Sequence, residues 1–277
     1  MSGIQLMLLP FLACMILVAI HAYIGLHILA RGVIFADLAL AQMAALGSVV
    51  AVMLGAAADS WTAYSFALGF TAAGAILFAF TRNWGRGRVP QEAIIGIVYV
   101  VASAGALLAA DRAPRGAEAI KDILIGSILW VTPGAIVKLL IVYVPFGLFH
   151  FLLRRIFLTI SFQPDEAERS GWRLHWWDFL FYMAFGVVVA HSVPVAGVLM
   201  VFTFLVVPAT IAFLFTRDLR KLVLISWGAG AVACMLGLWM SWAFDLPTGP
   251  LVVCTYGLLL MVAGLLRRFG IGNAAAA

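Results

Sequence analysis

Residues 154–173 read RRIFLTISFQPDEAERSGWR, the longest charged interruption in an otherwise apolar chain. The stretch predicts a short helix lying outside the bilayer. Gln163 can cap it, and Pro164 suits the first helical position, where no N–H is needed. Asp165, Glu166 and Glu168 sit where the positive end of the helix dipole favours acids, and Gly171 can stop the helix. Four arginines, Arg154, Arg155, Arg169 and Arg173, flank it, and an excess of Arg and Lys marks a cytoplasmic loop. The segment therefore reads as a cytoplasmic helix between two membrane-spanning halves. It either docks a cytoplasmic partner or merely joins two spans.

Composition supports the membrane reading. The chain has 277 residues, 65% of them hydrophobic and 10% charged, against about 25% charged in an ordinary soluble domain. The net charge of +5 does not point to nucleic acid, because the basic residues fall in small groups between apolar runs rather than along one face. Cys14, Cys234 and Cys254 each lie inside an apolar run without zinc-site spacing, so they read as buried small hydrophobes. The first apolar run continues to Leu29 and lacks a positive n-region, so it is expected to stay in the membrane as a span. The AAAA tail after Asn273 reads as disordered.

A spanning helix needs roughly 20 apolar residues. Nine segments qualify, near 6–28, 35–55, 61–80, 93–110, 132–153, 176–193, 195–215, 221–244 and 250–266. Eight or ten result if the first run is partial or if 111–132 dips into the membrane. Residues 1–272 thus form one polytopic domain with the segment 154–173 outside it, and 273–277 form the tail.

Basic residues follow every odd span: Arg31, then Arg82, Arg86 and Arg88, then the four arginines of 154–173, then Arg217, Arg220 and Lys221, then Arg267 and Arg268. The opposite side carries only Arg112, Arg115 and Lys121, balanced by Asp111, Glu118 and Asp122, together with Asp59 and Asp245. This asymmetry puts the N-terminus outside and the C-terminus in the cytoplasm. The run 176–215 is about twice a bilayer's thickness with Pro194 near its middle, which predicts a tight outer hairpin there. Pro208 sits deep in the seventh span and cannot donate to the Phe204 carbonyl, so a kink is expected, with Thr203 or Thr210 able to compensate.

Ionisable and polar groups inside spans are candidates for function. Asp37 can pair with Arg31 as an interfacial ion pair or face a path. Gln42, roughly 140° further round the helix, can line a path or hydrogen-bond across helices. His21 and His27 lie about 120° apart on one helix and cannot easily hold one ion together. His191 near the outer end of the sixth span can meet an incoming cation or simply be hydrogen-bonded. Glu92 follows Pro90 and reads as a helix-start carboxylate. Asp245 can attract cations, contact an outer partner or serve as a turn residue. The sequence has no H-E-x-x-H, no G-x-S-x-G, no pair of acids on one span and no G-x-x-x-x-G-K-[ST], so no hydrolase site and no nucleotide-binding loop is expected in this chain.

Six stretches in order resemble the ABC-type permease family that imports zinc, manganese and iron ions into bacteria. They are HILARGVIFADLALAQMAALG (27–47), QEAIIGIVYVVASAGALL (91–108), KDILIGSILWVT (121–132), ISFQPDEAERSGW (160–172), PVAGVLMVFTFLVVPATIAFLF (194–215) and LPTGP (246–250). The resemblance implies an all-α type II ABC importer fold and a multi-pass subunit of the bacterial inner membrane. It implies a second permease copy beside this one, cytoplasmic ATPase subunits and an extracytoplasmic metal-binding protein. The divalent metal is then cargo, and no cofactor is bound by the chain.

Under this resemblance Pro164, Asp165, Glu166, Glu168 and Arg169 couple to the ATPase, and Asp37, Gln42, His191 and Pro208 are candidates for the translocation path. Many members carry D-A-L-S-H-A in the second span. Here the stretch reads DLALAQMAALG, with Gln42 in place of the histidine and the acid displaced by one residue to Asp37, so the resemblance assigns no metal ligands. The competing reading is a secondary transporter driven by protons or sodium through Asp37, His191 or Asp245. An intramembrane enzyme has no paired acid, base or nucleophile to support it.

Overall fold

The computed structural model describes residues 3–57, 60–82, 89–112 and 124–269. Asp59, Arg86, Arg88, Arg115, Glu118, Lys121, Asp122 and the tail after Asn273 lie outside the described residues. The described chain is helical: α1 Gly3–Arg31, α2 Ala36–Met53, α3 Trp61–Thr81, α4 Gln91–Asp111, a 3-10 turn Ile128–Trp130, α5 Pro133–Leu152, α6 Arg154–Phe162, α7 Pro164–Arg169, α8 Leu174–Phe215, α9 Leu219–Phe244 and α10 Thr248–Arg268.

Eight of these helices are long and apolar enough to cross a membrane. One of them, α8, has 42 residues, roughly 63 Å at the helical rise, about twice the hydrocarbon thickness. Its backbone leaves helical geometry only at Gly197 (φ 77°, ψ 156°), so it supplies two spans, 174–196 and 198–215. The eight candidate helices among the described residues fall within the expected eight to ten, and counting the two halves of α8 separately gives nine. The break falls at Gly197, three residues beyond the expected corner at Pro194.

The reason is a backbone contact. Gly126 also has positive φ (69°), and a Cβ on Gly197 would stand 2.4 Å from the Ile125 carbonyl carbon and 2.6 Å from the Gly126 nitrogen. The N–H of Ser127 donates to the Val195 carbonyl at 3.1 Å. Only glycine tolerates both the torsion and the approach. A Cβ on Gly249 would meet the Ile125 carbonyl oxygen at 3.3 Å and Met200 Sδ at 3.4 Å. Three stretches far apart in sequence (IGS, VAGVLM and LPTGP) thus pack on one another.

Pro208 is buried in α8 and its torsions stay helical. The threonines expected to compensate do not serve Phe204. Thr203 donates to the Leu199 carbonyl and Thr210 to the Val206 carbonyl, both at 2.8 Å.

By contacts the chain divides into two units. One comprises Met1–Leu29, Ile125–Ile141 and Val195–Ala277. In it α9 packs on α10, Tyr256 donates to the Gly230 carbonyl at 3.0 Å, and Trp227 Nε1 donates to the Ala19 carbonyl at 3.0 Å. Cys14 and Cys234 are buried, but Cys254 is exposed, contrary to the expectation that all three would be inside.

The other unit comprises Ala30–Leu124 and Val142–Pro194, and in it α2 packs against α3 and α4. Small residues permit this closeness, since lipid supplies little hydrophobic drive for helix association. A Cβ on Gly47 would stand 2.5 Å from the Phe66 carbonyl oxygen.

Candidate functional site

The charged interruption folds as two short helices. On α6 the side chains of Phe157, Ile160 and Ser161 are buried while Arg154 and Arg155 are exposed. Gln163 then occupies the N-cap position of α7 and Pro164 its first turn, as the sequence predicts, although the Gln163 side chain makes no capping hydrogen bond. Asp165 and Glu166 lie in the first turn of α7. The Gly171 N–H donates to the Glu168 carbonyl and its positive φ (68°) ends the helix.

Pro164, Asp165, Glu166, Glu168 and Arg169 are all exposed, whereas Ala167 between them is fully buried. Ala167 packs with Ile160 and Leu174, and Ile156, Trp172 and Trp177 close over that cluster. The result is a knob, polar outside and pinned from below by one small side chain. It can present carboxylates to a partner without moving independently of the helices beneath it.

Beneath the knob lies an ionic cluster that the sequence reading did not identify. Asp178, 1% exposed, accepts from Arg31 Nη1 at 2.8 Å and from Arg82 Nη1 at 2.8 and 2.6 Å. Arg31 Nε donates to Ser161 Oγ at 2.8 Å, and its guanidinium lies 3.9 Å from the Phe181 ring centre. The end of α1, the residue after α3 and the start of α8 are thus held by one carboxylate, and α6 is tied to the cluster through Arg31. A lone acid in WWDFLF is a signal for a buried pair, but its partners lie 147 and 96 residues away.

The expected Asp37–Arg31 pair is therefore replaced by Asp178–Arg31. Asp37 sits in the first turn of α2, 1% exposed, and neither carboxylate oxygen has a hydrogen-bond partner among the described residues. Gln42 is buried on the same helix.

His191 is half-buried on α8. Its Nδ1–H donates to the Val187 carbonyl at 2.8 Å, which leaves Nε2 as acceptor for the Tyr64 hydroxyl at 3.3 Å. The hydrogen-bonded alternative holds for this histidine in this conformation. Asp37, Gln42 and His191 belong to one unit and Pro208 to the other.

The remaining candidates have contacts within the fold. Glu92 accepts the Phe35 N–H at 2.9 Å and so caps the start of α2 from α4. Asp245 is the left-handed C-cap of α9 (φ 52°), the turn reading. His21 Nδ1–H donates to the Leu17 carbonyl, and the His27 ring meets Tyr23 edge-on. His150, unremarked in the sequence, is buried and stacked between Phe146 and Phe157 at 4.3 and 4.5 Å. No group of three or more His, Cys, Asp or Glu that could hold a metal ion occurs among the described residues.

The described residues are helical, and their likeness to solved ABC transporter structures gives the chain the fold of a type II ABC importer permease. Residues 3–267 match the ABC 3 transport family, and the chain belongs to that family. Relatives include the manganese import system permease protein ScaB of Streptococcus pneumoniae, 29% identical over 55% of each chain, so the match spans about half of that relative's length. The manganese transport system membrane protein MntC of Listeria monocytogenes is 26% identical over 84% of each chain. Among solved structures, PsaBC of Streptococcus pneumoniae in complex with Fab superposes with a TM-score of 0.76 at 21% identity, covering 95% of this chain and 93% of that one. A metal-chelate type ABC transporter in an inward-facing conformation gives 0.70 at 17% identity, covering 93% and 85%. The protein is thus a multi-pass membrane permease of a bacterial ABC transporter family whose named relatives move manganese and other metals.

Proposed function

We propose that this chain is the permease subunit of an ABC importer for a divalent metal ion, driven by a separate cytoplasmic ATPase that engages α7. The observation that carries the coupling half is the exposed row Pro164, Asp165, Glu166, Glu168 and Arg169 around buried Ala167. Pushing on α7 transmits force through Ile160 and Leu174 into α6 and α8, because packed side chains move together rather than deform. The acidic charge suits a basic groove on the partner. The C-terminus is assigned to the cytoplasm and the N-terminus to the outside from the charge bias. The working assembly has two copies of this permease and an extracytoplasmic metal-binding protein.

Manganese is the favoured cargo. The relatives named above support it, and so does donor chemistry. Asp37 and Gln42 offer carboxylate and carbonyl oxygens, which suit manganese better than thiolate- or imidazole-rich sites do. A carboxylate buried without a partner is stabilised when a cation reaches it. The His191 Nε2 lone pair becomes available to cargo when Tyr64 rotates away, and the Val187 carbonyl holds the ring in the required tautomer.

The test is uptake of labelled manganese into proteoliposomes holding the permease, its ATPase and ATP. Saturable manganese uptake that zinc competes with poorly supports the reading. Uptake of zinc in preference to manganese removes the assigned cargo, and loss of ATP dependence removes the assigned drive.

A further inference from the structure

Where α3 ends and α8 begins, Ile76, Phe80, Arg173, His175, Trp176 and Phe179 line a groove of about 770 Å3. All six belong to one unit. The Arg173 and His175 side chains are exposed, as are Trp176 and Phe80 at 56% and 68%. Arg173 enters no ion pair among the described residues, in contrast to Arg82, which is committed to Asp178. The lining contains no acid.

The position fixes the depth. Phe80 lies in the last turn of one candidate span, and Arg173 immediately precedes the first residue of another. Two spans therefore end at the same level, on the side that carries the basic excess. The lining combines an exposed arginine and histidine with apolar side chains and a tryptophan, the chemistry that suits the headgroup, the acyl chain and the boundary of a lipid leaflet.

We propose that this groove binds an anionic phospholipid of the leaflet on the basic side. Its phosphate lies against the Arg173 guanidinium and the His175 ring N–H, and an acyl chain lies along Ile76, Phe80 and Phe179. Arginine matches phosphate geometry with two donors at once. Arg173 ends the coupling segment, and its carbonyl accepts from the N–H groups of Trp176 and Trp177 in the first turn of α8. The lipid therefore sits against the joint between α7 and α8.

The test uses the full-length chain in detergent, titrated with phosphatidylglycerol, phosphatidylcholine or inorganic phosphate and read by native mass spectrometry. One phosphatidylglycerol is retained in preference to phosphatidylcholine by at least about fivefold, and R173Q lowers that preference by about fivefold. R220Q, on the same side but outside the groove, leaves it unchanged, and inorganic phosphate does not displace the lipid. F80A keeps both basic side chains and weakens retention by shortening the apolar flank, which gives a second reading should R173Q fail to fold. Equal retention of the two lipids by the unaltered chain overturns the proposal. Displacement by inorganic phosphate, full preference in R173Q, or undiminished phosphatidylglycerol retention in F80A overturns it too.

Discussion

Replacing Asp178 by Asn tests the ionic cluster that ties α1, α3 and α8 together within one unit. The carboxylate is 1% exposed and is shared by Arg31 and Arg82, whose side chains are 5% and 16% exposed. D178N keeps one oxygen acceptor but leaves two guanidinium charges close together with no counter-charge. Breaking a buried pair from one side costs about 3–5 kcal/mol, and the retained acceptor places D178N near ~3 kcal/mol. A chain of this size loses roughly 2–4 °C per kcal/mol, so its midpoint should fall by roughly 6–12 °C. Thermal unfolding of the detergent-solubilised protein, followed by tryptophan fluorescence, reads this directly. Replacing all three members with apolar residues, R31M/R82M/D178L, recovers most of the loss, because the desolvation penalty disappears with the charges. A midpoint for D178N within about 2 °C of the parent would refute the reasoning, since a carboxylate that can be neutralised freely is not holding two partly buried cations.

Three further outcomes follow from the geometry. D37N removes a buried carboxylate that has no hydrogen-bond partner, so the melting midpoint stays level or rises while metal uptake falls at least about tenfold; a marked loss of stability would show that Asp37 is paired. G197A forces a Cβ into the Ile125–Gly126 backbone at 2.4–2.6 Å and into a left-handed torsion, so size-exclusion chromatography should show loss of monodisperse protein, whereas a well-behaved variant would contradict the contact. Y64F removes one hydrogen bond to His191, worth about 0.5–1.5 kcal/mol. It should leave folding intact and change the concentration dependence of uptake, measured as KM, while an unchanged KM would exclude His191 from the path.

The spans were legible because an apolar run of about 20 residues admits few other structures in a membrane. The short helix α7 was legible because Pro164, the acids of its first turn and Gly171 are local signals read within one or two turns. The corner at 194–197 was placed near but not on the right residue. Proline advertises itself in sequence, whereas the need for glycine at 197 comes from the Gly126 backbone, 71 residues earlier in the chain, lying against it. The Asp37–Arg31 pair was the nearest available match along the chain, and it lost to Asp178, which periodicity cannot bring to Arg31. The sequence leaves His191 open to meeting a cation or being hydrogen-bonded, and the Tyr64 hydroxyl, 127 residues away in the chain, fills its Nε2 in this conformation. The cluster of IGS, VAGVLM and LPTGP was visible as separate motifs, but their meeting depends on the tertiary fold.

The central claim is that this permease moves metal only when a nucleotide-driven partner acts on α7. The most direct measurement is ATP-dependent manganese uptake by the reconstituted transporter carrying D165A/E166A/E168A. The variant is expected to insert into the membrane with parental stability while its uptake falls to background. Parental uptake by that variant, or uphill transport by the permease alone under an ion gradient without nucleotide, would contradict it.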